Sequence, residues 1–171
     1  MNFIKKANLE DAQKLSKLSI DAFLPAHGHS SPKADMDSYV KANFSLENIE
    51  RELSNQNFLY YFIHHQKKLA GFSKIIFNID NEHIQEKNIT KMERLYLLEE
   101  FYRKNLGKEL MIFNSELAKK NNQNGIWIEV WTENERAIKF YKKMGFKIVG
   151  SSRFKISETH SNPNYIMYLK F

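Results

Sequence analysis

The sequence reads as an α/β protein, of the α+β kind in which helices cover a mixed sheet. Two observations carry this. Apolar and β-branched runs alternate with stretches of helical period along the whole chain. The run MERLYLL leads through a basic loop into a helix near Gly107, and after that helix a second apolar run, IWIEVW, begins at Ile126. Strand, helix and parallel strand in that order make a right-handed crossover.

The elements follow in chain order. Phe3 to Ala7 is a short strand, and Asn8 with Asp11 three residues on marks a helix start ahead of the stripe Leu15, Leu18 and Phe23. The segment LPAHGHSSPK, Leu24 to Lys33, predicts a helix stop and a surface loop, because two of the three prolines lie in it. Two helices follow, Asp35 to Phe44 and Ser45 to Leu53, the second capped by Ser45. Their Glu47, Glu50 and Glu52 read as a solvated face. Phe58 to Ile63 and Leu69 to Ile79 form a hairpin whose turn, HHQKK, includes His64 and His65. Asp80 to Asn88 has no apolar period and is a loop.

The central strand, Met92 to Leu98, ends at Glu99 and Glu100. Leu110, Phe113 and Leu117, widened by Met111 and Ala118, then give a core-facing helix. Asn121 to Gly125 stops it, and Ile126 to Trp131 is apolar on both faces, as a buried parallel strand is. Thr132 and Glu135 have capping-box spacing before a short helix striped by Ala137, Ile138, Tyr141 and Met144, which Gly145 ends. Phe146 to Ile156 and Tyr165 to Lys170 close the sheet around the loop SETHSNPN.

Composition narrows the function classes. A chain of 171 residues, 42% hydrophobic and 27% charged, suits one domain, residues 1–171, with its own core. No apolar run reaches the roughly 18 residues of a membrane span, and MNFIKKANLED lacks the apolar core of a signal peptide, so a cytoplasmic location is expected. The absence of cysteine excludes disulfides, a thiol nucleophile and thiolate metal sites. His27 and His29 are two metal-ligand types without a third, so no metal is expected. A net charge of +6 favours an anionic ligand, either a phosphorylated cofactor or nucleic acid. The basic loop offers a place for it. The first turn of the helix starting near Leu106 has N–H groups without intrahelical partners, Gly107 permits close approach, and Arg103, Lys104 and Lys108 add charge. The same residues also suit a solvated turn.

The sequence resembles the GNAT superfamily of acetyl-CoA-dependent N-acetyltransferases along nearly its whole length. The specific match is VWTENERAIKFYKKMGF, Val130 to Phe146, which is similar to the superfamily's second cofactor-contacting segment. The first motif, Glu93 to Leu110, departs from the family pattern: Tyr102 and Asn105 stand where Arg or Gln and then Gly are usual, and Gly107 matches. Together with MERLYLL and RFKI…YIMYLKF, the wording is similar to bacterial Pai-type spermidine/spermine N-acetyltransferases.

The resemblance implies about seven strands with a splayed central pair and four to five helices. Acetyl-CoA would lie in the splay, its pantetheine arm paired with the backbone of Tyr96, Leu97 and Leu98 and contacted by Asn134. Its pyrophosphate would rest on the amides from Tyr102 through Arg103, Lys104, Asn105, Leu106 and Gly107 to Lys108. Asn105 is suited to a turn that needs positive φ. Tyr141 would protonate the CoA sulfur, Glu93 would take the amine proton directly or through water, and an N–H near Leu97 would stabilise the oxyanion. Glu129 has two readings, a carboxylate that helps Glu93 bind a cationic acceptor, or a paired charge.

The expected partner is a small-molecule primary amine, with a polyamine the first candidate, although the closing loop carries only Glu158. Acetylation of a protein N-terminus or lysine is the second enzyme reading. A non-catalytic CoA-binding or nucleic-acid-binding basic module is the alternative of another class. No membrane partner is expected, nucleic acid is not favoured, and the chain is either a monomer or a homodimer.

Overall fold

The computed structural model describes residues 1–171. One seven-stranded sheet runs through it in the order β1-β2-β3-β4-β5-β7-β6. The strands are β1 (Asn2–Lys6), β2 (Leu59–His65), β3 (Lys68–Ile76), β4 (Thr90–Leu97), β5 (Gly125–Trp131), β6 (Lys147–Lys155) and β7 (Ser161–Lys170). The helices are α1 (Ala12–His27), α2 (Lys33–Phe44), α3 (Leu46–Leu53), α4 (Leu106–Lys120) and α5 (Glu135–Lys143). All neighbouring strands are antiparallel except β4 and β5, which the α4 crossover makes parallel.

That parallel pair is short. Only Thr90 opposite Ile126 and Lys91 opposite Trp127 are in register, and beyond them the two strands diverge. The expected splay is therefore present. β7 fills the place beside β5 along its whole length, so β5 is parallel to one neighbour and antiparallel to the other.

Side-chain alternation gives the sheet two packed faces. On one, Ile75, Met92, Ile126 and Ile128 meet Met111 and Ala118 of α4 and Tyr141 of α5. On the other, Tyr60, Phe62 and Phe72 meet Leu15 and Leu18 of α1 and Ile49 of α3. Burying one such Leu, Ile or Phe side chain contributes about 2 kcal/mol.

Several local expectations need correction. α1 continues through Pro25 to His27. Pro25 lies in the last turn, so one lost N–H bond is the cost, and Gly28 N–H still reaches the Leu24 carbonyl at 2.8 Å. The hairpin turn is only Gln66-Lys67, both with positive φ as a tight two-residue turn requires, so His64 and His65 belong to β2. Ser161 to Asn164 pair in β7 instead of forming loop. Asn134, not Thr132, caps α5 by accepting from Ala137 N–H at 3.1 Å. The Asn8–Asp11 capping box and the Ser45 cap are present as expected, and Gly145 ends α5 at φ 97.

Candidate functional site

A cleft of about 1330 Å³ opens where β4 and β5 part. Its walls come from both faces of the sheet: α1 and α2 on one side, and α5 with the loop before α4 on the other.

The loop before α4 is built to receive an anion. Backbone N–H groups from Arg103 to Lys108 have no acceptor in the chain, and the first intrahelical bond is Glu109 N–H to Asn105 carbonyl at 3.1 Å. Arg103 at φ 63 and Asn105 at φ 61 are left-handed, and alternation of this kind turns successive N–H groups to one side. Asn105 takes the conformation expected of it. Tyr102 N–H is already used, donating to the Glu99 carbonyl at 3.0 Å. A Cβ on Gly107 would meet Phe140 at 3.6 Å and Leu97 at 3.7 Å, ordinary contacts. The protein's own packing therefore does not require glycine there, and its missing side chain leaves room in the cleft.

β4 supplies the next part. Leu98 N–H donates to the Ala70 carbonyl at 2.9 Å, so alternation along the antiparallel ladder points the peptide groups of Leu98 and Tyr96 at β3 and those of Leu97 into the splay. Of the three residues expected to offer backbone groups, the structure turns only Leu97 to the cleft. Tyr96 lines it with its ring, while Leu98 lies outside it. Lys104 also lies outside, its ammonium 5.2 Å from the Phe101 ring centroid. Tyr102, Arg103, Asn105, Leu106, Gly107, Lys108 and Asn134 all line the cleft.

Glu93 owes its position to a bulge. Lys74 is opposite Arg94 and Ile75 opposite Met92, which leaves Glu93 as the extra residue. The bulge brings Glu93 and Arg94 to a charge network that the sequence reading missed. Lys74, 2% exposed, pairs with Glu93 and with Glu52 at 3.0 Å, and lies 4.2 Å from the Phe58 ring centroid. Arg94 donates to the Tyr60 hydroxyl at 2.7 Å and reaches Glu52 at 3.5 Å. Tyr60 in turn donates to Glu52. Glu52 is therefore not part of a solvated face. Burial opposes its ionisation, but the charges of Arg94 and Lys74 and the Tyr60 hydrogen bond outweigh burial and lower its pKa. One clue was available: a lysine inside FSKII can be buried only beside a countercharge.

Tyr141, on α5, lies across the splay against Phe140 and Phe146, with ring centroids 5.0 and 5.3 Å away. Burial raises its phenol pKa, so it keeps its proton. Glu129 accepts from Ser152 at 2.9 Å and pairs with Lys91 at 3.5 Å. His27 and His29 pack on the Trp131 ring, at 6.3 and 5.4 Å between centroids. No group of three His, Asp or Glu side chains is placed to hold a metal ion, and no helix is long and apolar enough to cross a membrane.

Comparison with known proteins adds a relationship to this geometry. The model of the acetyltransferase (GNAT) family matches residues 18–146. An uncharacterized N-acetyltransferase in the pepI 3′ region of Lactobacillus delbrueckii subsp. lactis is 25% identical over 143 residues, 83% of this chain and 82% of that protein. The spermidine N(1)-acetyltransferase of Thermoplasma acidophilum is 25% identical over 151 residues, 85% of this chain and 88% of that one. The crystal structure of the PaiA N-acetyltransferase of T. acidophilum, in complex with coenzyme A, shares the fold with a TM-score of 0.79 at 22% identity, covering 100% of this chain and 99% of that one.

Proposed function

Because the chain belongs to the GNAT family of acetyltransferases, we propose that it moves the acetyl group of acetyl-CoA directly to a primary amine of a small molecule. The observation that carries this is the row of unpartnered N–H groups from Arg103 to Lys108 at the edge of a cleft that also holds Glu93 and Tyr141.

In this reading the pyrophosphate rests on those amides, with Arg103 and Lys108 adding charge and Gly107 giving access. Lys104 contributes through its backbone N–H. The pantetheine arm runs between the Leu97 peptide groups and the Asn134 side chain, whose carbonyl caps α5 while its NH₂ stays available. The amine loses a proton to Glu93, directly or through water, and its nitrogen attacks the thioester carbon. Leu97 N–H stabilises the oxyanion. As the tetrahedral intermediate collapses, the C–S bond breaks and Tyr141 gives its proton to the sulfur. No metal enters this scheme. Glu129 stands on the acceptor side, where its charge is shared with Lys91.

By relationship a polyamine is the first candidate to screen, since one relative is named a spermidine N(1)-acetyltransferase. The test is release of CoA thiol from acetyl-CoA, measured with and without a panel of primary amines that includes spermidine and short peptides. Amine-dependent release supports the reading. Release with peptides alone would move it to a protein acceptor, and no release with any of them would overturn it.

A further inference from the structure

Lys74 is the one cation paired with Glu93, and the two side chains differ in what they face. That of Lys74 is 2% exposed, whereas that of Glu93 is 29% exposed and lines the cleft. The ammonium therefore reaches the carboxylate from within the protein and leaves its cleft side free. It holds Oε2 of Glu93, while Oε1 accepts no hydrogen bond within the chain and stays accessible.

Two features give this contact a role beyond packing. The first lies in the backbone. Alternation along β4 is broken at the bulge, so the consecutive residues Glu93 and Arg94 both meet charges on the α1 and α3 face, and Glu93 has no partner across the ladder. With no ladder partner, Glu93 depends on its side-chain contact with Lys74 for a defined position. The second is that Lys74 is itself fixed. Glu52 holds the same ammonium at 3.0 Å, and the Phe58 ring centroid lies 4.2 Å from it. Glu52 is in turn bound by the Tyr60 hydroxyl and reached by Arg94 at 3.5 Å. The ammonium thus keeps a fixed seat and a counterion when Glu93 loses its charge. Stability alone does not call for such a seat, since apolar residues of similar volume in place of a buried ion pair are often as stable.

Resting on the acetyl-transfer reading above, in which Glu93 takes the amine proton, we propose that Lys74 is the positioning residue for that step. By holding Oε2 it fixes the Glu93 carboxylate with Oε1 turned to the acceptor nitrogen. The base then has no side-chain freedom to lose at each turnover. The amine proton goes to Oε1, directly or through water, and the electron pair of the broken N–H bond stays on the nitrogen that attacks the thioester carbon. Lys74 gives up no proton, and Glu52 remains its counterion once Glu93 is neutral.

The test is a double-mutant cycle on kcat at saturating acetyl-CoA, with spermidine as acceptor, or with the best amine of the panel above if spermidine is not acetylated. Glu93→Gln should lower kcat by about 100-fold. Lys74→Met should lower it by about tenfold in the wild-type background and by less than about twofold in the Glu93→Gln background, because the two residues act as a unit. Lys74→Arg keeps a charge for the fold but moves its point of contact, and should show the same pattern with a fall of about threefold. The KM for acetyl-CoA should stay unchanged throughout. Equal falls in the two backgrounds, or a KM for acetyl-CoA that rises with them, would make Lys74 a structural charge only and overturn the proposal. If Lys74→Met does not fold, Lys74→Arg decides alone, and an unchanged kcat in it overturns the proposal. If Glu93→Gln leaves kcat unchanged, Glu93 is not the base and the proposal fails while acetyl transfer stands. If no amine is acetylated, the acetyl-transfer reading fails and the role of Lys74 with it.

Discussion

The guanidinium of Arg136 lies over the ring of Tyr102, its central carbon 3.7 Å from the ring centroid, so α5 and the loop before α4, which share one wall of the cleft, are joined. Tyr102 belongs to the anion loop and Arg136 to the first turn of α5. Tyr102 stands where the family resemblance leads one to expect Arg or Gln, and the arginine arrives instead from α5 beside it. Arg136→Ala should weaken acetyl-CoA binding by roughly fivefold to tenfold, and Tyr102→Ala by a similar factor, in line with a partly desolvated cation–π contact. Combining the two should add little, because each breaks the same contact. Titration calorimetry with acetyl-CoA measures all three, and full additivity would show that the stack does not act as a unit.

Tyr141→Phe removes one oxygen from a buried ring and leaves its packing against Phe140 and Phe146 in place. The expected outcome is a fall in kcat of about 100-fold, the lower range for losing a positioned general acid. The KM for acetyl-CoA should change little. Steady-state kinetics reads both, and an unchanged kcat would remove the residue from proton transfer.

Lys74→Met takes the buried cation away from Glu52 and Glu93. Removing one partner leaves the others' charge poorly compensated, so a loss of about 3 kcal/mol in unfolding free energy is expected. Lys74→Arg should recover part of it. Urea unfolding monitored by circular dichroism gives the comparison.

Acid should destabilise the fold through His27. Its folded pKa is lowered to about 4 from an ordinary 6.5 by burial first, then by the charges of His29 and Arg136. Between those values the unfolded chain binds a proton that the folded chain refuses, so stability falls as pH drops from about 6.5 toward 4 and is insensitive to this group above 7. Glu52 acts in a lower window. Its pKa is depressed below 4.5, so its contribution is fully present above 4.5 and is lost as pH falls through the folded value. His27→Gln should flatten the slope between pH 6.5 and 4 and leave the lower one, as read from melting temperature against pH.

Much of this was legible in the residues because local chemistry decides it. Asn8, Ser45, Asn105 and Gly145 mark turns and caps by their own conformational preferences, and the stripes of α4 and α5 follow from period. The strand order was not legible, since β7 enters between β5 and β6 through pairing that no local pattern records. Nor was the left-handed φ of Arg103, because nothing about arginine favours it. The site divided in the same way. Glu93, Asn134 and Tyr141 could be singled out from motif wording, whereas Lys74, Arg94 and Glu52 each looked like an ordinary strand or surface charge until the bulge at Glu93 brought them together. Phe23, Tyr39 and Trp131, which line the same cleft, come from α1, α2 and β5, segments that lie far apart in the chain.

The most direct test uses acetyl-CoA with a labelled acetyl group, mixed with the protein and a primary amine, followed by mass spectrometry of all three components. Direct transfer in the cleft predicts the label on the amine nitrogen, free CoA in equal amount and no label on the protein at any time. Label that stays on CoA, or that accumulates on the protein before reaching the amine, would contradict the account.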